Sequence, residues 1–188
     1  MNTLQIPING QNPFAPVTLI SGLIMGLITL MYTFGQLQSL PCDQDLGSAF
    51  LRNFIHVDWL HLILNMYTFY RLMPIELIFG SSFYLILLGF LILFQTIIEW
   101  IINLYFEINC SIGFSGILFG LFTWMILSLR GQDWKMLSAL ILSIFASSAR
   151  DPRLSLLGHL MGVVSGLLAW AISTPFLLTS PLFMLTKL

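Results

Sequence analysis

Four side chains in this sequence have the types and spacing for acyl-transfer chemistry. Ser115 stands in "GFSG" at 113–116, His159 in "HLMGVVSG" at 159–166, and His61 and Asn65 four apart in "HVDWLHLILN" at 56–65. A serine hydroxyl is a weak nucleophile until a base within about 2.6–3.2 Å takes its proton, and His159 is the candidate base. Attack on an amide carbonyl creates an oxyanion that needs donors aimed at it. Asn65 offers a side-chain N–H, His61 a ring N–H, and Ser115 its own backbone N–H at a helix start, where such donors have no intrahelical partner. The carboxylate nearest to His159 in sequence is Asp151, two turns away near a loop, so the pattern predicts a dyad without a third member. Phe119, one turn after Ser115, can stack on the imidazole and hold its plane.

The elements that position these groups are membrane helices. Of the 188 residues, 57% are hydrophobic and 8% charged, whereas soluble domains carry about a quarter charged residues. Mean hydropathy is +0.92. Seven Lys plus Arg against eight Asp plus Glu leave a net charge of -1, which provides no basic face for a phosphate backbone and excludes nucleic acid as an expected partner. Apolar runs that meet or approach the about 20 residues needed to cross a bilayer lie at 17–37, 56–73, 83–104, 112–130, 134–150 and 154–173. The first has no Lys or Arg before it and reads as a retained span. Breaks such as "QSLPCDQDLGS", "RGQDWK" and "ARDPR" carry turn chemistry. The expected architecture is an all-α bundle of six transmembrane helices over 17–174, with a short tail at 1–16 and an apolar, proline-containing tail at 175–188 too short to span.

Parity then fixes depth. Spans two, four and six enter from the same membrane face, and at about 1.5 Å per residue Ser115, His159, His61 and Asn65 all fall roughly 5 to 13 Å below it. Polar groups inside a span are costly and by default face the bundle interior as functional candidates. His56 lies five residues before His61, so all three histidines fall on this side. Which face this is stays open: an N-terminus in the cytoplasm puts four basic residues inside (Arg71, Arg130, Lys135, Lys187) and three outside (Arg52, Arg150, Arg153). Gly116 and Gly120 on span four, and Gly158, Gly162 and Gly166 on span six, form small-x-x-x-small ridges that let backbones approach closely. Facing ridges bring Ser115 to His159.

Each residue has a plainer reading on its own. Serine in a membrane helix is ordinarily a packing residue, glycine ridges mark helix association, Asn65 can bond across helices, and His56 with His61 can brace a loop. Joint placement at one depth on three same-parity helices is what the plainer readings leave unexplained. Cys42 and Cys110 lack any C-x-x-C spacing and read as structural, unpaired thiols.

Order, spacing and span assignment together resemble the rhomboid family of intramembrane serine proteases. "GFSG" is similar to the family's G-x-S-G, "HVDWLHLILN" to its H-x-x-x-x-H-x-x-x-N, and "HLMGVVSG" to its H-x-x-G-x-x-x-G. "ELIFGS" at 76–81 is similar to a weaker E-x-x-x-G-S, and "CSIGFSGILF" resembles the endomembrane branch. The resemblance implies Ser115 as nucleophile, His159 as general base, His61 and Asn65 as oxyanion donors and His56 as a structural hydrogen-bonding residue, with Gly113, Gly116, Phe119 and Gly162 shaping the site. It implies no cofactor and no metal, a lipid bilayer as host, and transmembrane proteins as substrates. Two departures stand out: the family's Trp-Arg pair in the first loop is Gly47-Ser48, and the aromatic after the serine, often Tyr, is Phe119. Two rival readings are a noncatalytic rhomboid-like binder of membrane clients, and a small transporter or metal channel using the three histidines. With no carboxylate cluster beside them in sequence, those histidines suit a cation poorly.

Overall fold

The computed structural model describes residues 18–33, 45–105, 111–129, 134–150 and 156–179, the side chains of 129, 146–150 and 176–179 excepted. All regular structure among them is helical: α1 (Leu19–Thr33), α2 (Leu46–Arg52), α3 (Trp59–Leu72), α4 (Pro74–Phe79), α5 (Ser81–Tyr105), α6 (Ser115–Leu129), α7 (Trp134–Arg150) and α8 (Leu156–Thr179). Three stretches are long and apolar enough to cross a membrane, Trp59–Phe79, Ser81–Tyr105 and Leu156–Pro175. Shorter apolar helices lie at Leu19–Thr33, Ser115–Ser128 and Trp134–Phe145. Cys42, Cys110, Arg130, Asp151 and most of both tails lie outside the described residues.

Local chemistry explains where the helices start. Asp45 and Asp58 are N-caps: the Asp45 carboxylate accepts from the Ser48 N–H at 2.7 Å and that of Asp58 from the His61 N–H at 2.8 Å. The Asp58 cap corrects one expectation. The second apolar run becomes helical only at Trp59, so His56 sits in the turn ahead of α3, outside the helix. At the other end of that run, Pro74 occupies the first position of α4, where its missing N–H costs nothing, and the apolar stretch continues to Phe79. α8 also continues through Pro175 to Thr179, past the expected end of the sixth span.

Glu76, within α4, holds the start of α1. Its carboxylate accepts from the backbone N–H groups of Ile20 (3.0 Å) and Ser21 (3.1 Å), from the hydroxyls of Thr18 (2.5 Å) and Ser21 (3.0 Å), and from that of Ser81 at 2.7 Å. A buried acid is tolerable only with its lone pairs filled in this way. Phe69, Tyr84, Leu88, Leu91, Phe114, Ile117, Leu121 and Trp124 build a core between α3, α5 and α6. A smaller cluster of Ile126, Leu127, Leu137, Ile144 and Val163 joins α6, α7 and α8. The outer faces stay apolar, with Leu60, Ile63, Leu64 and Tyr67 on α3 and Leu85, Ile86 and Leu93 on α5 exposed. In lipid such faces need no cover.

Candidate active site

The site forms where α6 and α8 cross. A Cβ on Gly162 would collide with the Gly116 carbonyl oxygen, and one on Gly166 with that of Gly120, so the two backbones touch. Ser165 keeps its own hydroxyl occupied by donating to the Gly162 carbonyl at 2.7 Å. Across this seam the Ser115 Oγ lies 2.9 Å from His159 Nε2, within the distance a proton transfer requires. The Phe119 ring lies against the imidazole at a centroid distance of 4.7 Å and a tilt of 45°. His159 is buried, and its Nδ1 has no hydrogen-bond partner among the described residues.

His61 and Asn65 reach the site through Gly113. That glycine has φ +114°, and a Cβ there would lie 2.6 Å from His61 Cε1 and 3.6 Å from Asn65 Nδ2. Only glycine combines that backbone conformation with that approach. Ser115 follows two residues later as the first residue of α6, so its backbone N–H is one of the unpaired donors of the helix start. The Asn65 Nδ2 is buried with no partner among the described residues.

His56 packs edge-on against His61 at a centroid distance of 5.1 Å, and its Nδ1 donates to the Phe54 carbonyl at 3.3 Å. Burial, reinforced by the neighbouring His61, pulls its pKa down to about 4. A neutral ring with Nδ1–H directed at a carbonyl leaves Nε2 as an acceptor. The nine candidate site residues therefore fall in one region: Ser115, His159, Phe119, Gly116 and Gly162 at the α6–α8 seam, and Gly113, His61, Asn65 and His56 beside it.

Three polar groups nearby were not among the candidate site residues read from the sequence. Gln95 of α5 donates its amide N–H to the Gly158 carbonyl at 3.0 Å, one residue before His159. Arg52 and Glu99 form a buried ion pair, Nε to Oε1 at 3.2 Å. The available signal was their type: Gln95 and Glu99 interrupt a 25-residue apolar helix. Gly47 and Ser48, in place of the family's Trp-Arg pair, form the first turn of α2 under the Asp45 cap.

A helical bundle with apolar outer faces around a buried polar centre is an integral membrane protein. Residues 43–176 match the family described as Rhomboid domain. A protein of Acanthamoeba polyphaga mimivirus that carries the name "putative rhomboid protein" is similar as well, 25% identical over 145 residues, covering 76% of this chain and 84% of that one. The chain belongs to the rhomboid family.

Proposed function

We propose that this protein is an intramembrane serine endopeptidase that cleaves transmembrane-anchored proteins in or near their membrane helix through the dyad Ser115 and His159. The observation that carries the reading is the 2.9 Å approach of Ser115 Oγ to His159 Nε2 across a glycine-lined seam. Nε2 takes the hydroxyl proton as Oγ attacks the scissile carbonyl. The oxyanion is met by the Ser115 backbone N–H, the Asn65 amide and a ring N–H of His61. His159 then passes its proton to the leaving amine, and water, deprotonated by the same nitrogen, releases the acyl group.

A peptide bond within a substrate helix is hidden by its own hydrogen bonds, so the substrate enters from lipid and unwinds locally to present its carbonyl. α7 is the natural side of entry, because among the described residues it meets the bundle through few buried side chains, chiefly Leu137 and Ile144. The test is labelling of the purified full chain in lipid with a fluorophosphonate probe, together with cleavage of a reconstituted transmembrane substrate. The parental protein labels and cleaves, whereas Ser115→Ala and His159→Ala each lose both, and the double variant is no slower than either single one. A parental protein that binds membrane clients without labelling is instead the noncatalytic relative.

A further inference from the structure

The Arg52–Glu99 pair sits beside the dyad and takes no part in the chemistry above. Arg52, the last residue of α2, is 1% exposed. Its side chain reaches α5, where Nε donates to Glu99 Oε1 at 3.2 Å. Its backbone carbonyl accepts from the Gly113 N–H at 3.0 Å. Glu99 in turn accepts from the backbone N–H of Ser111. A ring is thereby closed, running from the Arg52 guanidinium to Glu99, to Ser111, along the chain to Gly113, and back to the Arg52 carbonyl. Asn53, next in sequence, anchors the same turn to α5 through Thr96 Oγ1 at 3.1 Å.

Two charges in an apolar interior cost several kcal/mol each to desolvate, and an apolar pair of similar volume commonly gives equal or greater stability. Stability alone therefore does not account for an arginine and a glutamate here. What the ring does fix is the placement of residues 111–113, and with them the Gly113 contact on His61 and the backbone N–H of Ser115 two residues on. We propose that Arg52 and Glu99 are positioning residues that hold the 111–113 segment in register, so that the Ser115 N–H and His61 are aimed at one oxyanion. The proposal rests on the protease reading for its effect on rate, and on the hydrogen-bonded ring alone for its effect on structure.

Removing one charge strands the other, so the informative variants are paired. Arg52→Met with Glu99→Leu removes charges and hydrogen bonds together. Arg52→Gln with Glu99→Gln removes the charges but keeps an N–H donor at 52 and a carbonyl acceptor at 99. In full-length protein in lipid, the Met/Leu pair is expected to keep its melting temperature and KM while kcat and fluorophosphonate labelling both fall roughly ten- to hundredfold, as misplacement by up to 1 Å implies. The Gln/Gln pair recovers most of that loss. Amide exchange at Ser111 and Gly113, followed by mass spectrometry, speeds up about tenfold or more in the Met/Leu pair, as expected when a net hydrogen bond is lost. Parental rate and labelling in the Met/Leu pair, equal loss in both pairs, unchanged exchange at 111 and 113, or failure of both pairs to fold would each overturn the positioning role. If the parental protein itself does not label, the protease reading falls, and the exchange measurement still decides whether the ring holds the segment.

Discussion

The two sides of the candidate site are held by opposite means. On the α6–α8 side, Gly116 against Gly162 and Gly120 against Gly166 place backbone on backbone, with van der Waals packing as the main attraction. On the α2–α5 side, Arg52, Asn53, Thr96 and Glu99 fix a loop through hydrogen bonds and an ion pair. The first arrangement has no slack for added volume. The second tolerates changes of shape better than loss of a partner. A nucleophile and its base must meet within a few tenths of an ångström, and packed backbones supply that rigidity. A loop that must aim several N–H groups at one point is better served by directional bonds.

The sharpest break of this comparison is Gly162→Val. Its branch point has nowhere to go, because the obstacle is the Gly116 backbone rather than a movable side chain. Overpacking costs about 1–3 kcal/mol where side chains can adjust. Here the helices themselves must separate, and a shift of about 1 Å at the reacting atoms costs about a hundredfold in rate. Cleavage and Ser115 labelling are expected to drop by more than that, together and well beyond any loss of expression. A variant that labels and cleaves like the parent would show that the seam does not set the Ser115–His159 distance.

Asn65→Ala, on α3, probes the proposed oxyanion donors, of which there are several. One oxyanion donor contributes about 2.7–4 kcal/mol to the transition state, so kcat is expected to fall about a hundred- to a thousandfold with KM little changed. The residual rate should stay above that of Ser115→Ala, because the Ser115 N–H and His61 remain. An unchanged kcat would take Asn65 out of the site.

The contrast between the two sides also explains what the sequence made legible. Ser115, His159, His61 and Asn65 could be singled out as candidates because chemistry restricts their types and helical parity restricts their depth. The glycine seam could be found because small residues at four-residue spacing have few other uses in a membrane helix. The Arg52–Glu99 ring has no such signature. Its members are 47 positions apart, two of its links are backbone groups that every residue carries, and Arg52 entered the sequence reading only as a charge bearing on orientation. Glu76 was visible as part of a weak motif, yet its role as acceptor for the start of α1, 55 and 56 residues away, depends on tertiary placement. Helix ends shifted for local reasons: Asp58 delays α3 and leaves His56 in a turn, while Pro74 at the first position of α4 permits helix where a break was expected.

The smallest expected effect comes from Thr96→Val, and it tests whether the polar side is as distributed as its geometry implies. Valine keeps the branched shape and loses the hydroxyl that accepts from Asn53 Nδ2 at 3.1 Å and donates to the Ile92 carbonyl at 2.8 Å. The second of these bonds is redundant, since that carbonyl belongs to the helix's own ladder. After the first is lost, Asn53 Nδ2 still donates to the carbonyls of Ala49 at 3.1 Å and Phe50 at 3.2 Å. No buried donor is stranded, so the cost should stay within the about 0.5–1.5 kcal/mol of one net hydrogen bond. Unfolding measured in mild detergent should shift by no more than that, with cleavage within about twofold of the parent, because the Arg52–Glu99 ring still holds Gly113. If Thr96→Val instead lowered kcat tenfold at unchanged stability, Asn53 rather than Arg52 would be aiming the loop. The α2–α5 side would then depend on one bond as strictly as the α6–α8 side depends on one glycine.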